Sequence, residues 1–372
     1  MRVIYATSDL EEWINVAKNM QTLEGWEPIY WVTTPKNDTL VYDTFPLAIR
    51  QNYLEAIRGV YTPMVNLDVP KVIDADVLNQ YAYYEKIALK MMDRMDPTAF
   101  SFNLTEREHL YYDFLLYWIN SIVVLKPDIV LFTESPHALF QYILYAVCLE
   151  NNIKIIRFTP THIEGLTFLS SSVEEIPLYL KEVYKTFLEK KPIQSYEVSN
   201  RYLAKNRGSY DEALPYYMKR LTQKESFKGL LLSSFGKAQR FISNSTFTAY
   251  KKGSRYSISN GNITKIDLLR YKLKGSWEKK QLKNVYNTLA VSADLTVPYI
   301  YVALHYQPEK TTSPEGGVFV DQWLMISMLS RLLSKGWKLY VKEHFSQFSE
   351  KLYGEQGRQR DFYQKVSALK NV

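Results

Sequence analysis

Asp128-Ile129-Val130-Leu131-Phe132-Thr133-Glu134-Ser135-Pro136-His137 is the stretch on which the fold turns. Four apolar residues in a row, closed by Lys126-Pro127 before them and a polar turn after them, read as a short buried strand. On its N-terminal side the pattern Thr105-Glu106-Arg107-Glu108 is a capping box that opens a helix ending near Lys126-Pro127. On its C-terminal side a second helix runs to Asn151-Asn152, and residues 153–158 form another strand. Strands alternating with helices specify an α/β domain with a parallel sheet.

The N-terminus repeats the pattern. Val3-Ile4-Tyr5-Ala6 is a buried strand, and Ser8-Asp9-Leu10-Glu11 is a second capping box. Leu10, Trp13, Ile14, Ala17 and Met20 then recur at helical spacing until Gly25 stops the helix. Pro28-Ile29-Tyr30-Trp31-Val32 is the next strand. No phosphate-cradling glycine-rich turn follows the first strand, so the half is Rossmann-like without a dinucleotide fingerprint. Residues 43–102 read as Tyr-rich helical inserts. In an open parallel sheet the loops at the C-terminal strand ends face the ligand. Two such loops carry Glu134 and His137, and His162 and Glu164. Acceptor chemistry is expected there, with Glu134 and His137 as the candidate base or nucleophile.

A second βαβ unit begins at Val297-Pro298-Tyr299-Ile300-Tyr301-Val302-Ala303-Leu304. Its loop, His305-Tyr306-Gln307-Pro308-Glu309 through Gly316-Gly317, leads to Asp321, which caps a helix expected over residues 321–336. Leu324, Met328 and Leu332, beside Met325, Leu329 and Leu333, form a wide apolar stripe expected to face a sheet. Trp337-Lys338-Leu339-Tyr340-Val341 is the next strand, with Lys342-Glu343-His344 at its end. Both strands read as buried on both faces. Only about 75 residues follow Thr296, short of the usual size of a domain, so this second domain is expected to be incomplete. The reading divides the chain into an N-terminal acceptor-side domain over residues 1–172, a helical connecting region over 173–296 and a partial donor-binding domain over 297–372.

Composition narrows the function. Cys148 is the single cysteine of the 372 residues, which excludes an intrachain disulfide and a cysteine-rich metal site. No signal-peptide pattern and no run long enough to span a bilayer is present, so the expected compartment is the cytoplasm. The 30 tyrosines offer flat apolar faces with a hydroxyl, suited to sugars. Residues 181–290 hold 23 Lys and Arg against 8 Asp and Glu, a net +15. An anionic membrane surface is the expected partner of that segment, and nucleic acid is disfavoured because no recognition motif accompanies the charge.

At its C-terminal motifs the sequence resembles the capsule polysaccharide biosynthesis family, which includes the capsular Kdo transferases. Tyr301-Val302-Ala303-Leu304-His305-Tyr306-Gln307-Pro308-Glu309 through Gly316-Gly317 to Asp321-Gln322 is similar to the family's first donor-side motif. Lys342-Glu343-His344 resembles its Lys-Glu-His-Pro motif, with Phe345 in place of the proline, a change expected to loosen the turn. Glu134-Ser135-Pro136-His137 is similar to the acceptor-side loop. The resemblance implies a GT-B fold, two Rossmann-like domains with a helical basic segment between them, and transfer from a nucleotide-activated sugar, foremost a cytidylate-activated acidic one, to a glycan or lipid-linked glycan. It implies no cofactor beyond that co-substrate and no metal. His305, Gln307, Pro308, Gly316, Gly317, Lys342 and His344 become the candidate donor-binding residues. A CDP-alcohol polyol-phosphate transferase and a non-catalytic capsule-assembly partner are the competing readings.

The charge pattern generates a test. With each basic residue near an anionic surface contributing about 1 kcal/mol, the chain is expected to float with anionic liposomes and to stay behind with neutral ones. Equal recovery with both would contradict the membrane expectation.

Overall fold

The computed structural model describes residues 1–7, 10–62, 70–96, 102–161, 163, 165–190, 196–209, 248–250 and 263–372. It is a mixed α/β structure with a predominantly parallel main sheet and divides into two compact units. The first comprises Met1–Met92, Asn103–Tyr202 and Ser313–Gly317, and the second Asp93–Phe102, Leu203–Thr312 and Val318–Val372.

The first unit is built on β1 (Arg2–Thr7), β2 (Glu27–Thr33), β3 (Ile49–Asn52), β4 (Ile129–Phe132), β5 (Lys154–Pro160) and β6 (Thr167–Ser170), in the spatial order β3-β2-β1-β4-β5-β6. Five strands are parallel and β6 alone runs antiparallel, against β5. The order reverses direction between β1 and β4, which makes their C-terminal ends the topological switch point. Helix α1 (Glu11–Glu24) packs on one face through Ile14 and Ala17, in a cluster with Val3, Tyr5, Trp31, Ile129 and Leu131. Tyr5 stacks on Trp31 with ring centroids 4.1 Å apart. Trp118 of α5 (Leu104–Leu125) meets Tyr30 of β2 edge to face, and Tyr145 of α6 (Leu139–Glu150) meets Phe132 of β4 in the same way. All four residues of β4 are buried, as their sequence required.

Local signals explain most boundaries. Gly25, at φ 65°, ends α1 with its amide donating to the carbonyl of Gln21. The capping box of α5 lies two residues earlier than the sequence pattern suggested: Asn103 Oδ1 accepts from the Glu106 amide, and Glu106 Oε2 accepts from the Asn103 amide. Asparagine is at least as good an N-cap as threonine, and taking it lengthens the helix by the exposed residues Leu104 and Thr105. At α1 the residue before the first turn is Leu10, without a side-chain cap; Ser8 and Asp9 lie outside the described residues. After α2 (Asp38–Thr44), the stretch read as helical inserts holds α3 (Tyr53–Ala56) and α4 (Ala75–Met91), and also the strand β3.

In the second unit β9 (Tyr299–Ala303) and β10 (Lys338–Lys342) pair in parallel and in register, Tyr299 opposite Lys338 and Val302 opposite Val341. Later in the chain than helices α7 (Leu178–Lys190) and α8 (Glu197–Arg207), a two-stranded antiparallel ribbon, β7 (Thr248–Tyr250) with β8 (Ile263–Thr264), leads into α9 (Lys265–Leu289), capped by Thr264 and Asp267. Most of the remaining basic segment lies outside the described residues, as do His162 and Glu164. In α9, Lys279 is buried, with Nζ donating to the carbonyls of Ser349 and Leu352, while Lys272, Lys274, Lys280 and Lys283 are exposed.

Two sequence expectations need correction here. The β9–β10 ribbon is covered on one face only: Ile300, Val302, Leu339 and Val341 join a core with Leu282 of α9, Ile326 of α10 (Gln322–Leu332), and Phe362 and Val366 of α11 (Phe362–Ser367). The other face carries Tyr299 and Tyr301, 40% and 54% exposed, with Tyr340 and two lysines. The buried stripe of α10 is Ile326 with Met325, Leu329 and Leu333, whereas Leu324, Met328 and Leu332 are exposed. The helix also stops at Leu332, before Gly336, which takes φ 87° in the turn to β10.

Replacing Leu131 by Ala empties the centre of the first unit's core, and a loss of about 2–5 kcal/mol is expected in urea unfolding. Asn103→Ala removes the cap of α5 and is expected to cost about 1 kcal/mol, whereas Thr105→Ala leaves stability within about 0.5 kcal/mol.

Candidate functional site

The switch point of the first unit carries Glu134, Ser135 and His137 in the loop from β4 to α6. His137 Nδ1 lies 3.1 Å from the carbonyl oxygen of Ser135 and 3.5 Å from Glu134 Oε1. Both neighbours accept, so they favour a proton on Nδ1, and Nε2 of the neutral ring then carries the lone pair that a base needs. Beneath this loop runs Arg157 of β5, paired in register with Phe132 of β4 and Ser170 of β6. Its guanidinium is 4% exposed and reaches Ser135 Oγ at 2.6 Å through Nη1 and the Ser172 carbonyl at 2.6 Å through Nη2.

Gly316 and Gly317 group with this first unit. Gly317 takes φ 51°, and a side chain there would collide with the carboxylate of Glu174, which accepts from the Tyr83 hydroxyl. The glycine is therefore required by close approach to a carboxylate. The turn before α10 is also settled by protein groups, since Asp321 Oδ1 accepts from the Trp323 amide, the cap that the sequence indicated.

The second unit brings His305, Gln307, Lys342, Glu343 and His344 to the C-terminal ends of β9 and β10. Arg358 and Glu343 form the centre, their side chains 0% and 1% exposed. Arg358 Nε donates to Glu343 Oε2 at 2.7 Å and Nη2 to Oε1 at 2.9 Å, a two-pronged pair. Glu343 also accepts from the Tyr363 hydroxyl and from the amide of His344, each at 2.7 Å. Arg358 donates further to Gln307 Oε1 at 2.7 Å and to the His305 carbonyl at 3.1 Å. Burial pushes the Tyr363 hydroxyl far up, and the Glu343 charge adds to it, so Tyr363 is a fixed donor.

This network holds the backbones of two histidines in place. The backbone of His305 is gripped by the buried amide of Gln322, Oε1 taking its N–H at 2.8 Å and Nε2 donating to its carbonyl at 3.0 Å. His344 Nδ1 accepts from the Ser346 amide at 3.2 Å, closing a single 3-10 turn over Phe345–Phe348. That turn is formed with Phe345 present, its ring stacked on His344, so the residue after the histidine does not undo it. Since Nδ1 accepts, a neutral His344 carries its proton on Nε2. Burial lowers the His344 pKa below the usual 6.5; Glu343 opposes this, while His305 and Arg358 add to it. His344 is thus a neutral hydrogen-bond donor at pH 7.

The amide of Gln307 is occupied at both ends, by Arg358 and by the Val320 carbonyl, to which Nε2 donates at 2.5 Å. Pro308 follows it through a cis peptide bond. Lys342 is exposed and lines, with Glu343, Tyr301, Tyr340 and Lys338, a groove of about 740 Å³ along β10 that does not include His305 or His344. Among the described residues no group of three or more His, Cys, Asp or Glu is placed to hold a metal ion, and no helix is long and apolar enough to cross a membrane.

Sequence reasoning passed over Arg157, Gln322, Arg358 and Tyr363. Arg157 had a signal, a cation set between Ile156 and Phe158 within a largely apolar strand stretch. Arg358 had none, because it stands in a polar loop beside Arg360. No family model, curated protein or solved structure matches the chain.

Two outcomes follow from the network. Glu343→Gln leaves the Arg358 charge buried without its partner and is expected to destabilise the second unit by about 3–5 kcal/mol, read by urea unfolding. Because the unfolded imidazole of His344 titrates near 6.5 and the folded one lower, the folded chain binds fewer protons in that range. Stability is therefore expected to fall as pH drops from 6.5 through the folded pKa. In His344→Asn, where Oδ1 can still accept from Ser346, that part of the pH dependence is expected to vanish.

Proposed function

We propose that the chain is a glycosyltransferase of capsular or surface polysaccharide synthesis, of GT-B type, using a nucleotide-activated sugar, foremost a cytidylate-activated acidic one. The observation that carries this reading is the placement of His344 at the end of β10, its Nδ1 taken by the Ser346 amide and its own amide by Glu343 of the buried Arg358 pair, which leaves the proton of a neutral ring on Nε2. A sugar leaving a nucleotide phosphate transfers negative charge to a phosphate oxygen, and a pre-set neutral donor stabilises that charge without a proton transfer. His305, on the neighbouring strand end, is the second contact. Gln307, Pro308, Gly316 and Gly317 shape the loop, and Lys342 offers a charge at its edge.

In the proposed reaction the bond between the anomeric carbon and the phosphate oxygen breaks, and its electron pair leaves with the phosphate. The acceptor hydroxyl oxygen bonds to that carbon, and its proton passes to a carboxylate or imidazole acting as general base. The nucleotide sugar is a co-substrate, and no other cofactor takes part. The acceptor is a glycan or lipid-linked glycan, met at the inner face of the cytoplasmic membrane, where exposed lysines such as Lys272 and Lys283 would adjoin anionic lipid.

The test is a donor panel by titration calorimetry and product analysis on the full chain, comparing a CMP-activated acidic sugar with a CDP-alcohol. Binding and turnover of the first are expected, with His344→Asn lowering kcat by about 10²–10³ while the fold is retained. Turnover of the CDP-alcohol alone would move the assignment to polyol-phosphate transfer. Binding of neither would contradict an enzymatic role and favour a non-catalytic partner in capsule assembly.

A further inference from the structure

Arg157 is a cation in the wrong place for a structural residue. It is only 4% exposed, yet among the described residues no carboxylate lies within ion-pairing distance. Two of its nitrogens reach neutral oxygens, those of Ser135 and Ser172, and Nε has no partner. A buried guanidinium with neutral partners costs free energy unless an anion completes it. Glu315 and Tyr145 act on Arg157 only at longer range, and burial holds its pKa below the usual arginine range.

Its position gives the missing anion a place. Arg157 lies near the C-terminal end of β5, and its hydrogen bond to Ser135 reaches the loop that leaves β4 at the switch point. That loop ends at Ala138, the N-cap of α6, which offers no side-chain oxygen to the first turn of a 12-residue helix. Gln141 Oε1 accepts from the Ala138 amide, but the first-turn amides of α6 gain no oxygen from an N-cap side chain; that helix start and the Ser135 hydroxyl belong to this loop, and Arg157 reaches it from β5 with its charge uncompensated. Ser135 Oγ already accepts from Arg157, so its own proton can be donated to a ligand.

We propose that Arg157 and Ser135, with the start of α6, hold an oxyanion of a bound ligand, a carboxylate or a phosphate monoester, at the switch point of the first unit. Glu134 and His137, in the same loop, then stand beside an anchored anionic molecule. The inference concerns the first unit alone and stands whether or not the second unit binds a nucleotide sugar.

The test is thermal unfolding of the full chain at constant ionic strength, with inorganic phosphate in one arm and glucuronate in the other. In the wild-type chain, Tm is expected to rise by a few degrees with at least one probe, and the arm that responds identifies the class. Arg157→Met, which removes an uncompensated charge, is expected to keep or raise the Tm of the ligand-free chain and to abolish the shift. Arg157→Lys keeps the charge without the planar fork and is expected to bind about tenfold more weakly. It also serves as the test if the Met variant does not fold. A shift that survives in either variant at wild-type ligand concentration, or no shift in the wild-type chain with either probe, would overturn the proposal.

Discussion

Glu343 and Arg358 are two opposite charges withdrawn almost completely from water, and the second unit's chemistry is arranged around them. Such a pair adds little net stability, because desolvation offsets most of the attraction. What it supplies is direction. Each remaining lone pair and N–H of the two groups must find a partner, and the partners are the backbone of His305, the amide of Gln307, the amide of His344 and the hydroxyl of Tyr363. One ion pair thus fixes the ends of two strands, β9 and β10, relative to each other. The placement of His344 follows from that constraint and from the Ser346 amide, while burial favours its neutral form.

The first unit solves a different problem. Its mostly parallel sheet packs against helices on both faces, and its strand order puts the topological switch point at the C-terminal ends of β1 and β4. Among the described residues of this unit Arg157 is the one buried charged side chain, and its hydrogen bonds go to neutral oxygens. The two units therefore use charge in opposite ways. In one, the cation is neutralised within the protein and serves to position the backbones of two histidines. In the other, it is left for a ligand to complete.

Much of this was readable from residue patterns. The run Ile129 to Phe132 has no polar interruption and became a fully buried strand; Gly25 and Asp321 are residues whose backbone or side chain admits few roles, and they act as the stop and the cap that they suggested. The edge strands were not legible. Ile49-Arg50-Gln51-Asn52 and Thr167-Phe168-Leu169-Ser170 bury too little to need an apolar run, and β3 is held by pairing with β2 and β6 by pairing with β5. The face of α10 was misjudged because its apolar residues extend around most of the helix, and only the packing of Ile326 against Leu339 chooses among them. At the site, the histidines stood out by their place at strand ends. The groups that fix them did not, because Gln322 and Arg358 reach them across 17 and 53 residues of chain. Pairings of that kind depend on the fold and leave no local spacing.

The central claim is that His344 presents a neutral Nε2–H to the phosphate of a nucleotide sugar. Nitrogen-15 NMR of the full chain labelled at its five histidines tests this directly. The account expects the His344 signal, assigned through His344→Asn, to show the Nε2–H tautomer at pH 7 and to move on addition of a CMP-activated acidic sugar. A protonated or Nδ1–H ring, or a His344 signal unchanged at saturating donor, would contradict it.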